Sequence, residues 1–400
     1  MSDTILEIFF IILLIYCSFS SVYFFIFSLA AFFGRKNGGL EKSLPTKRIA
    51  ILVPAYKEDS IILSTARNFL DIDYPENCYD IYIIADSFQF QTIQQLKQLR
   101  INVIEVSFEN STKIKSLNQA FRKIIKPYDV ALICDADNVC SKDFLKHINF
   151  EFANGVKAVQ GRRVAKNLDT NFAVLDGLSE AINNHIFRRG ANALGLSSAL
   201  IGSGMAFEFS VVKKVLSEIS AVSGFDKPLQ LKIVESGIKI KYLENALVFD
   251  EKIDNPKAFT QQKKRWLFSQ FIYLKEYFLH GCHVLVKGNF SYFNLAVLNN
   301  IVPPRALLIF GLVIFTALSY FIHPPIIFIL FIVNLILYFI ALAMAVPKEL
   351  ISKKMLLALL HLPKAIFLMF ASLFTLRKAK NVFIHTVHTK NEISNPLYKK

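Results

Sequence analysis

Two long stretches without a charged residue restrict what this chain can fold into more than any other feature. One runs from Ile8 to Phe33 and the other from Ala306 to Pro347, with His323 counted as neutral. A helix of about 20 apolar residues crosses a bilayer core, so the first stretch predicts a transmembrane helix within residues 1–33. No basic region precedes it and no small-residue cleavage site follows it, which favours a retained anchor over a signal peptide.

The second stretch is divided by a turn signal, "HPP" at His323–Pro325, and predicts a two-helix hairpin. A further apolar segment, Met355–Leu376, is interrupted by Pro363 and Lys364. A charge in mid-membrane is costly, so a re-entrant or interfacial helix pair competes with a third span. We therefore expect residues 306–376 to form a transmembrane hairpin plus a re-entrant or third C-terminal helix.

Basic loops predict the orientation of these helices. "GRKNGG" follows the first span, and "KELISKK" and "RKAK" flank the last apolar segment. Basic loops stay on the cytoplasmic side, so we expect a multi-pass inner-membrane protein with its long middle part in the cytoplasm. "RKAK" on that side favours a non-spanning last segment. The expected parts are a cytoplasmic domain over 34–266, interfacial helices over 267–305 and a basic cytoplasmic tail over 377–400.

The net charge of +15 could indicate a nucleic-acid partner. The cations cluster beside the apolar stretches, however, where they would meet anionic lipid head groups, and we expect no nucleic acid. The cysteines lack the paired spacing of a metal site, and reduced thiols are the simplest interpretation; they are Cys17, Cys78, Cys134, Cys140 and Cys282.

The middle of the chain alternates short apolar runs with segments of helical periodicity. Such alternation predicts βαβ crossovers and a parallel sheet, whose ligands bind at the carboxyl ends of the strands. The predicted strands are 49–53, 81–86, 101–106 and 130–135, and the predicted helices lie at 59–72, 91–99 and 113–125.

Acidic residues follow several of these strands. The first ends in "PAYKE" (Pro54–Glu58), the second in Asp86, and the fourth in "DAD" (Asp135–Asp137). Taken singly, an aspartate after a strand is usually a turn former or a helix cap. Alternate residues of an extended segment point the same way, so Asp135 and Asp137 converge and need a cation. Their hard oxygen ligands suit Mg²⁺ or Mn²⁺.

Further short motifs follow in a fixed order, and no GxGxxG or GxxxxGK[ST] phosphate-binding loop occurs in the sequence. They are "KIKSLN" (113–118), "GSGMAF" (202–207), "GFDKPLQLKI" (224–233) and "QQKKRW" (261–266). Each motif is weak by itself, and the ordered set is specific.

From about Arg48 to Trp266, and into the flanking apolar helices, this order resembles the family 2 glycosyltransferases. The similarity is to their membrane-integrated, polysaccharide-synthase-like members, such as cellulose, chitin, hyaluronan and poly-N-acetylglucosamine synthases. The resemblance implies a GT-A fold, which is an α/β, Rossmann-like and mostly parallel sheet, in a cytoplasmic domain inserted between transmembrane helices. It also implies a UDP-sugar donor and a divalent metal.

The resemblance assigns roles to individual residues of the strand ends. Residues that would hold the nucleotide-sugar are Pro54, Ala55, Tyr56, Glu58, Asp86, Lys113 and Asp135. The metal would be held by Asp135 and Asp137. Thr112 stands where the family usually has a glycine before the lysine.

The resemblance places the acceptor sugar above Gly202, Ser203 and Gly204, although a simple tight turn explains these residues equally well. Asp226 matches the catalytic base. Phe225 replaces the glutamate that usually precedes that base, and Asp226 could instead cap the following helix.

"QQKKRW" has two interpretations. By itself it suggests an interfacial tryptophan with a basic belt. The motifs before it favour a site in which Trp266 stacks on a sugar ring, Arg265 pairs with phosphate and Gln262 binds hydroxyls. Lys263 and Lys264 would then serve the lipid surface, and residues 267–278 would form an interfacial helix.

The expected activity is an inverting transfer of sugar from a UDP-sugar to a growing polysaccharide or oligosaccharide, with a β-glycosidic product. A single transfer to a membrane lipid and a nucleotide-binding scaffold without catalysis are the alternatives. The sequence does not identify a partner for export of the product. "FIHTVHTK" (383–390) resembles a basic tail in which His385 and His388 are structural residues, not metal ligands.

Overall fold

The computed structural model describes residues 2–34, 44–220, 224–254, 256–322, 325–364, 366–367, 390 and 392–398. Several predicted features lie largely or wholly outside these residues. They are the basic loop after Gly34, the "HP" of the hairpin turn, the segment 368–376, the "RKAK" loop, and His385 and His388 of the tail.

The chain divides into two compact units. The sheet unit comprises Lys36–Glu180, Leu196–Ile253 and Lys380–Lys400, and the helical unit comprises Met1–Arg35, Ala181–Gly195 and Asp254–Ala379.

The structure has eight strands and fifteen α-helices within the described residues. In chain order the strands are β1 (Ile49–Tyr56), β2 (Tyr79–Asp86), β3 (Asn102–Val106), β4 (Val130–Ile133), β5 (Val139–Cys140), β6 (Ala158–Ala165), β7 (Met205–Glu208) and β8 (Ile240–Asp250). The helices are α1 (Ser2–Phe33), α2 (Ile62–Leu70), α3 (Phe90–Lys97), α4 (Lys113–Lys123), α5 (Phe144–Ala153), α6 (Asn171–Asn183), α7 (Ala191–Ala193), α8 (Phe209–Ser217), α9 (Asp226–Glu235), α10 (Pro256–Val286), α11 (Phe290–Phe293), α12 (Asn299–Ile301), α13 (Arg305–Ile322), α14 (Pro325–Ala345) and α15 (Lys353–Leu359).

The eight strands form one sheet in the order β3-β2-β1-β4-β7-β6-β8-β5. The four predicted strands and the three helices between them are confirmed, and β1 pairs in parallel with β2 and β4. Beyond β4 the sheet is mixed: β7 runs antiparallel to both β4 and β6, β5 runs antiparallel to β8, and β6 pairs in parallel with β8. β6 interrupts its apolar residues with Arg162 and Arg163 in "AVQGRRVA", so no continuous apolar run marks this strand.

The core lies on both faces of the parallel half. β1 is almost entirely buried, as is typical of a parallel strand covered by helices. Pro54 is tolerated in this central strand because the pairing of β1 with β4 ends at Leu52, before the proline. α4 begins at Lys113 because the hydroxyl of Thr112 accepts the backbone N–H of Lys115 at 3.3 Å.

The helical unit packs α14 against α1. The Asn334 side-chain amide donates to the Ser18 hydroxyl at 2.9 Å, and the Ser28 hydroxyl donates to the Ala341 carbonyl at 2.7 Å. α13 ends at Ile322 and α14 begins at Pro325, at the predicted break.

Two described helices are long and apolar enough to cross a membrane, Glu7–Phe33 and Pro325–Ala345. A third candidate is a pair bent by 55°, Phe290–Ile301 with Arg305–Phe321, if the pair forms one span. Of the apolar segment 355–376, the structure describes α15 and a few residues after it, so its spanning or re-entrant character stays a prediction.

Candidate functional site

The ends of β1 and β2 lie side by side, with Tyr56 opposite Asp86 in the parallel register. The next residues, Lys57 and Ser87, have φ values of 55° and 58°, in the left-handed region that side chains rarely adopt. The backbone N–H of Lys57 donates to the Asp86 carbonyl at 3.1 Å. Such backbone strain at two adjacent strand ends is typical of ligand-binding sites.

The carboxylate of Asp86 is only partly satisfied. The residue is 1% exposed, and its Oδ1 accepts a hydrogen bond from the Ser87 hydroxyl at 2.9 Å. Its Oδ2 is buried and has no hydrogen-bond partner among the described residues. A buried acceptor without a donor is costly, so this oxygen is suited to a donor group supplied by a ligand.

The predicted residues beside it have the expected placement. Pro54, Ala55 and Tyr56 form the last three residues of β1. Glu58 is buried, and its carbonyl accepts the N–H groups of Ile61 and Ile62 at 3.3 and 3.1 Å, where α2 begins.

Three carboxylates converge after β4 and β8. One oxygen from each of Asp135, Asp137 and Asp250 lies within 4.8 Å of the other two. Carboxylate oxygens are the ligands that Mg²⁺ and Mn²⁺ prefer, so this acidic triad fits a divalent cation. The predicted pair of metal residues is brought together, and Asp250 adds a ligand that the sequence had not indicated.

A buried hydrogen-bond network fixes the loop that carries the triad. The N–H of Asp135 donates to Asn138 Oδ1 at 2.9 Å and to Ser203 Oγ at 3.3 Å. Asn138 Nδ2 donates to Asp137 Oδ1 at 3.2 Å, and the Ser203 hydroxyl donates to Asn138. The side chain of Ser203, a residue predicted to bind the acceptor, is fully buried and supports the acidic loop; its acceptor role stays a prediction.

Asp250 lies among buried cations. Lys252 Nζ contacts Asp250 Oδ2 at 2.8 Å, Arg163 Nε lies 3.9 Å from the same oxygen, and Arg163 also pairs with Glu180 at 2.7 Å. Burial alone would raise the pKa of Asp250, but Lys252 and Arg163 lower it below its usual value. Likewise, burial would lower the pKa values of Arg163 and Lys252, and the surrounding carboxylates raise them. The network keeps Asp250 ionised.

Lys113 connects the acidic triad to the glycine loop. Its ammonium pairs with the Asp135 carboxylate, donates to the Gly202 carbonyl at 2.7 Å, and lies 5.1 Å from the centroid of the Phe225 ring. Phe225, which departs from the family motif, therefore contacts this lysine through the face of its ring.

The glycine loop approaches Asp226. A Cβ added at Gly202 (φ +81°) would lie 3.9 Å from the Asp226 Cβ, and one at Gly204 (φ +60°) would meet a Val248 methyl group at 2.6 Å. The positive φ angles favour glycine at both positions, and at Gly204 the approach to Val248 leaves no room for a Cβ. Asp226 is the first residue of α9, and the cap position belongs to Phe225, so helix capping does not explain the aspartate.

The "QQKKRW" motif lies in the helical unit. It falls inside α10, which begins at Pro256, and not ahead of the helix predicted from Leu267. Gln262, Arg265 and Trp266 are spaced i, i+3 and i+4 and share one helix face. Trp266 is 44% exposed, and the Lys263 ammonium lies 4.1 Å from the centroid of its ring. The binding roles of these three residues stay predictions.

The sequence did contain a signal for the missed Asp250. "ALVFD" (246–250) is an apolar run that ends in an aspartate, the same pattern that marked Asp86 and Asp135. Nothing in the sequence indicated Arg163, Glu180 or Lys252, because their charges are paired only in three dimensions.

Comparisons with known proteins agree with this geometry. A family model described as "Glycosyltransferase like family 2" matches residues 45–269. The beta-monoglucosyldiacylglycerol synthase of Trichormus variabilis is 26% identical over 234 residues, which cover 57% of this chain and 49% of that protein. The poly-beta-1,6-N-acetyl-D-glucosamine synthase of Staphylococcus aureus is 25% identical over 272 residues, 64% of each chain. The chain spans about half the length of the first of these curated relatives.

The fold also has a solved counterpart. A mannosyltransferase from Pyrobaculum calidifontis, in complex with GDP-Man and Mn²⁺, superposes with a TM-score of 0.53 at 14% identity, over 88% of this chain and 98% of that one. This likeness concerns the fold alone, and it confirms the predicted α/β fold of the GT-A type in its coarser form, a mixed eight-stranded sheet.

Proposed function

This chain belongs to glycosyltransferase family 2, as the motifs predicted, and on that premise we propose that it is an inverting, UDP-sugar-dependent hexosyltransferase. The acceptor in this proposal is a growing polysaccharide or oligosaccharide, and the product is a β-glycoside. The observation that carries the proposal is the convergence of the acidic triad, Lys113, Gly202 and Asp226 within the sheet unit.

The proposed reaction exchanges one bond to the anomeric carbon for another. The acceptor oxygen forms a bond to that carbon, the bond to the diphosphate oxygen breaks, and its electron pair leaves with UDP. Asp226 takes the proton of the acceptor hydroxyl, because a neutral hydroxyl is a weak nucleophile and a positioned base is worth ~10²–10⁴-fold. Attack from the face opposite UDP inverts the anomeric centre.

The leaving group accumulates negative charge, and this chain provides cations for it. Lys113, held between Asp135 and the Gly202 carbonyl, presents an ammonium where the diphosphate would lie. Asp135, Asp137 and Asp250 would hold a Mg²⁺ or Mn²⁺ ion, which when bound neutralises phosphate oxygens.

The strand ends of β1 and β2 would bind the nucleotide. The Oδ2 of Asp86, which has no partner among the described residues, would accept an N–H of the uracil, and Pro54, Ala55, Tyr56 and Glu58 would supply the neighbouring wall. Gly202 and Gly204 would allow the acceptor to approach the backbone closely.

Gln262, Arg265 and Trp266 keep their predicted roles toward donor and acceptor in this proposal. Their common helix face, the exposed indole and the buried Oε1 of Gln262, which has no partner among the described residues, support it. We place the protein in the inner membrane with the sheet unit toward the cytoplasm; the two helices long enough to cross a bilayer support this placement.

A second function has specific support. One similar relative is named as a glycolipid synthase and another as a polysaccharide synthase. Single transfer to a membrane lipid therefore accounts for the same site equally well, with the same triad and the same base.

Product size separates the two functions. Purified full-length protein in lipid nanodiscs is incubated with Mn²⁺ and each of a panel of radiolabelled UDP-sugars, with GDP-mannose as the control donor. A ladder or a high polymer supports the first function, and one lipid-soluble product replaces it with the second. No transfer from any donor contradicts both.

A further inference from the structure

The described C-terminal residues dock on the sheet unit next to the acidic triad. Residues 390 and 392–398, here called the C-terminal clasp, belong to the segment 377–400 that was expected to be a basic cytoplasmic tail. Ile393, Leu397 and Tyr398 pack against a buried cluster of Val139, Val164 and Phe249. The Tyr398 ring meets the Phe249 ring edge to face at 5.3 Å between centroids.

Polar contacts fix the register of the clasp. Asn395 is 5% exposed; its side-chain amide donates to the Ala165 carbonyl at 2.7 Å, and its Oδ1 accepts the N–H of Leu397 at 3.0 Å. The Ser394 hydroxyl accepts the N–H of Leu168 at 3.1 Å. These bonds tie the clasp to the end of β6 and to the loop that follows it.

Two residues stand between the clasp and Asp137, and the clasp contacts both. Ser394 N–H donates to the Lys166 carbonyl at 3.0 Å, while Lys166 Nζ donates to the Asp137 carbonyl at 3.1 Å. Lys390 N–H donates to Glu251 Oε2 at 3.0 Å, while Glu251 N–H donates to Asp137 Oδ2 at 2.8 Å. Asp137 itself is 2% exposed; the Glu251 N–H holds its carboxylate directly, and Lys166 holds its backbone carbonyl.

We propose that the C-terminal clasp is a positioning element of the metal site: by holding Lys166 and Glu251 against Asp137, it sets the affinity of the acidic triad for a divalent cation. This inference rests on the proposed function, because it assumes that the triad binds the metal. Groups that orient metal ligands typically change metal affinity 10–100-fold when they are removed. The clasp contacts Lys166 and Glu251, which in turn contact Asp137, and does not contact Asp137 itself in these hydrogen bonds. We therefore expect a change in metal affinity near tenfold, the lower end of that range.

The test compares three variants of the full-length protein. Asn395→Ala removes the amide that anchors the clasp. Asn102→Ala removes a similar amide-to-carbonyl bond, to Ile81 at 3.3 Å, on β3 at the opposite edge of the sheet. Glu392→Ala alters an exposed residue of the clasp. The affinity for Mn²⁺ is measured by titration with electron paramagnetic resonance, together with the thermal unfolding midpoint and the turnover at saturating Mn²⁺.

Asn395→Ala is expected to weaken Mn²⁺ binding about tenfold, with turnover restored at saturating Mn²⁺, while the other two variants stay within twofold of wild type. An Asn395→Ala affinity within twofold of wild type overturns the proposal. So does an equal loss in Asn102→Ala, which would indicate general destabilisation. Wild-type protein that binds no Mn²⁺ contradicts the metal site of the proposed function itself.

A measurement on unmodified protein gives an independent outcome. Because coupling between two sites is reciprocal, Mn²⁺ bound at the triad should slow hydrogen exchange of the peptide that covers 392–398. If the hydrogen-exchange rate of this peptide is the same with and without Mn²⁺, the proposed coupling between the C-terminal clasp and the metal site is wrong, regardless of the affinities of the variants.

Discussion

The carboxyl ends of β1 and β2 and the acidic loops after β4 and β8 both present buried aspartates, but the two regions satisfy them differently. Asp86 retains an oxygen without a partner among the described residues, beside two residues in left-handed backbone conformation. Asp250 is surrounded by Lys252, Arg163 and Asn138. The first region is left to be completed by a ligand, whereas the second is assembled before any ligand arrives.

This difference follows from the charge that each region must carry. In the proposed function the first region binds a nucleobase, which offers neutral donors that one open carboxylate oxygen can accept. The three carboxylates of the acidic triad repel one another unless cations lie nearby. Arg163 of β6 and Lys252, which follows β8, supply such cations. A change of Asp250 should therefore cause a large loss of stability. A change of Asp86 should cause a small loss of stability and mainly weaken ligand binding.

The largest effect is expected outside both regions, at the residue proposed to take the proton of the acceptor. Asp226→Asn should lower turnover by ~10²–10⁴-fold, since an amide cannot accept the acceptor's proton, and should leave Mn²⁺ and UDP affinities unchanged. Initial rates at saturating donor and metal, with calorimetric UDP binding as the control, measure this. Full turnover in the variant would remove Asp226 from the role of base.

The second largest effect is expected from a substitution in the region after β4 and β8, whose carboxylates are already paired with cations. Asp250→Asn removes the charge that Lys252 and Arg163 share, and taking one partner from a buried ion pair costs about 3–5 kcal/mol. Urea unfolding of the detergent-purified protein should show that loss, together with weaker Mn²⁺ binding. If stability is retained and only Mn²⁺ binding weakens, the cations are not what holds Asp250.

The matched change in the open region is Asp86→Asn. Because its Oδ2 has no partner to lose, unfolding should shift by less than about 1 kcal/mol. Hydrogen bonds to charged groups contribute about 1.5–3 kcal/mol, so KM for the UDP-sugar should rise roughly 10–150-fold. The KM comparison with wild type decides: an unchanged KM together with a large loss of stability would reverse the roles assigned to the two regions.

The smallest effect concerns an ion pair at the edge of the assembled region. Hydrogen bonds from Lys390 and Asn167 lower the pKa of Asp169 to about 2. Because the pKa of Asp169 is lower in the folded state, the ionised carboxylate stabilises the fold at pH values above the unfolded-state pKa of 3.8. This stabilisation is lost as the pH falls toward 2. Lys390→Met should raise the Asp169 pKa toward 3.8, as measured by NMR titration of the carboxyl carbon. An unchanged pKa would leave Asn167 as the cause.

The same two regions show what sequence reasoning can reach. β1 and residues 81–85 of β2 are continuous apolar runs, so these strands and the position of Asp86 at a strand end could be predicted from the pattern alone. β6 carries a charged residue that is neutralised by a partner 17 positions away in the chain, Arg163 with Glu180. A hydrophobic pattern does not reveal β6, and Asp250 was missed although the apolar run 246–249 precedes it.

The order of the motifs along the chain predicted which other residues belong to the candidate site. Asp135, Asp137, Lys113, Gly202 and Asp226 lie together as their order along the chain indicated. Ser203 shows the limit of that reasoning, because a motif gives the position of a residue but not the direction of its side chain. Its hydroxyl supports Asn138 beneath the triad.

The central claim is an inverting, metal-dependent sugar transfer at the acidic triad. The direct measurement incubates wild-type protein with the ¹³C-labelled UDP-α-sugar that its donor panel selects, with Mn²⁺ or with excess EDTA, and determines the anomeric configuration of the product by NMR. The account predicts a β-linked product that forms with Mn²⁺ and is absent with EDTA. An α-linked product, or transfer that continues unchanged in EDTA, would contradict it.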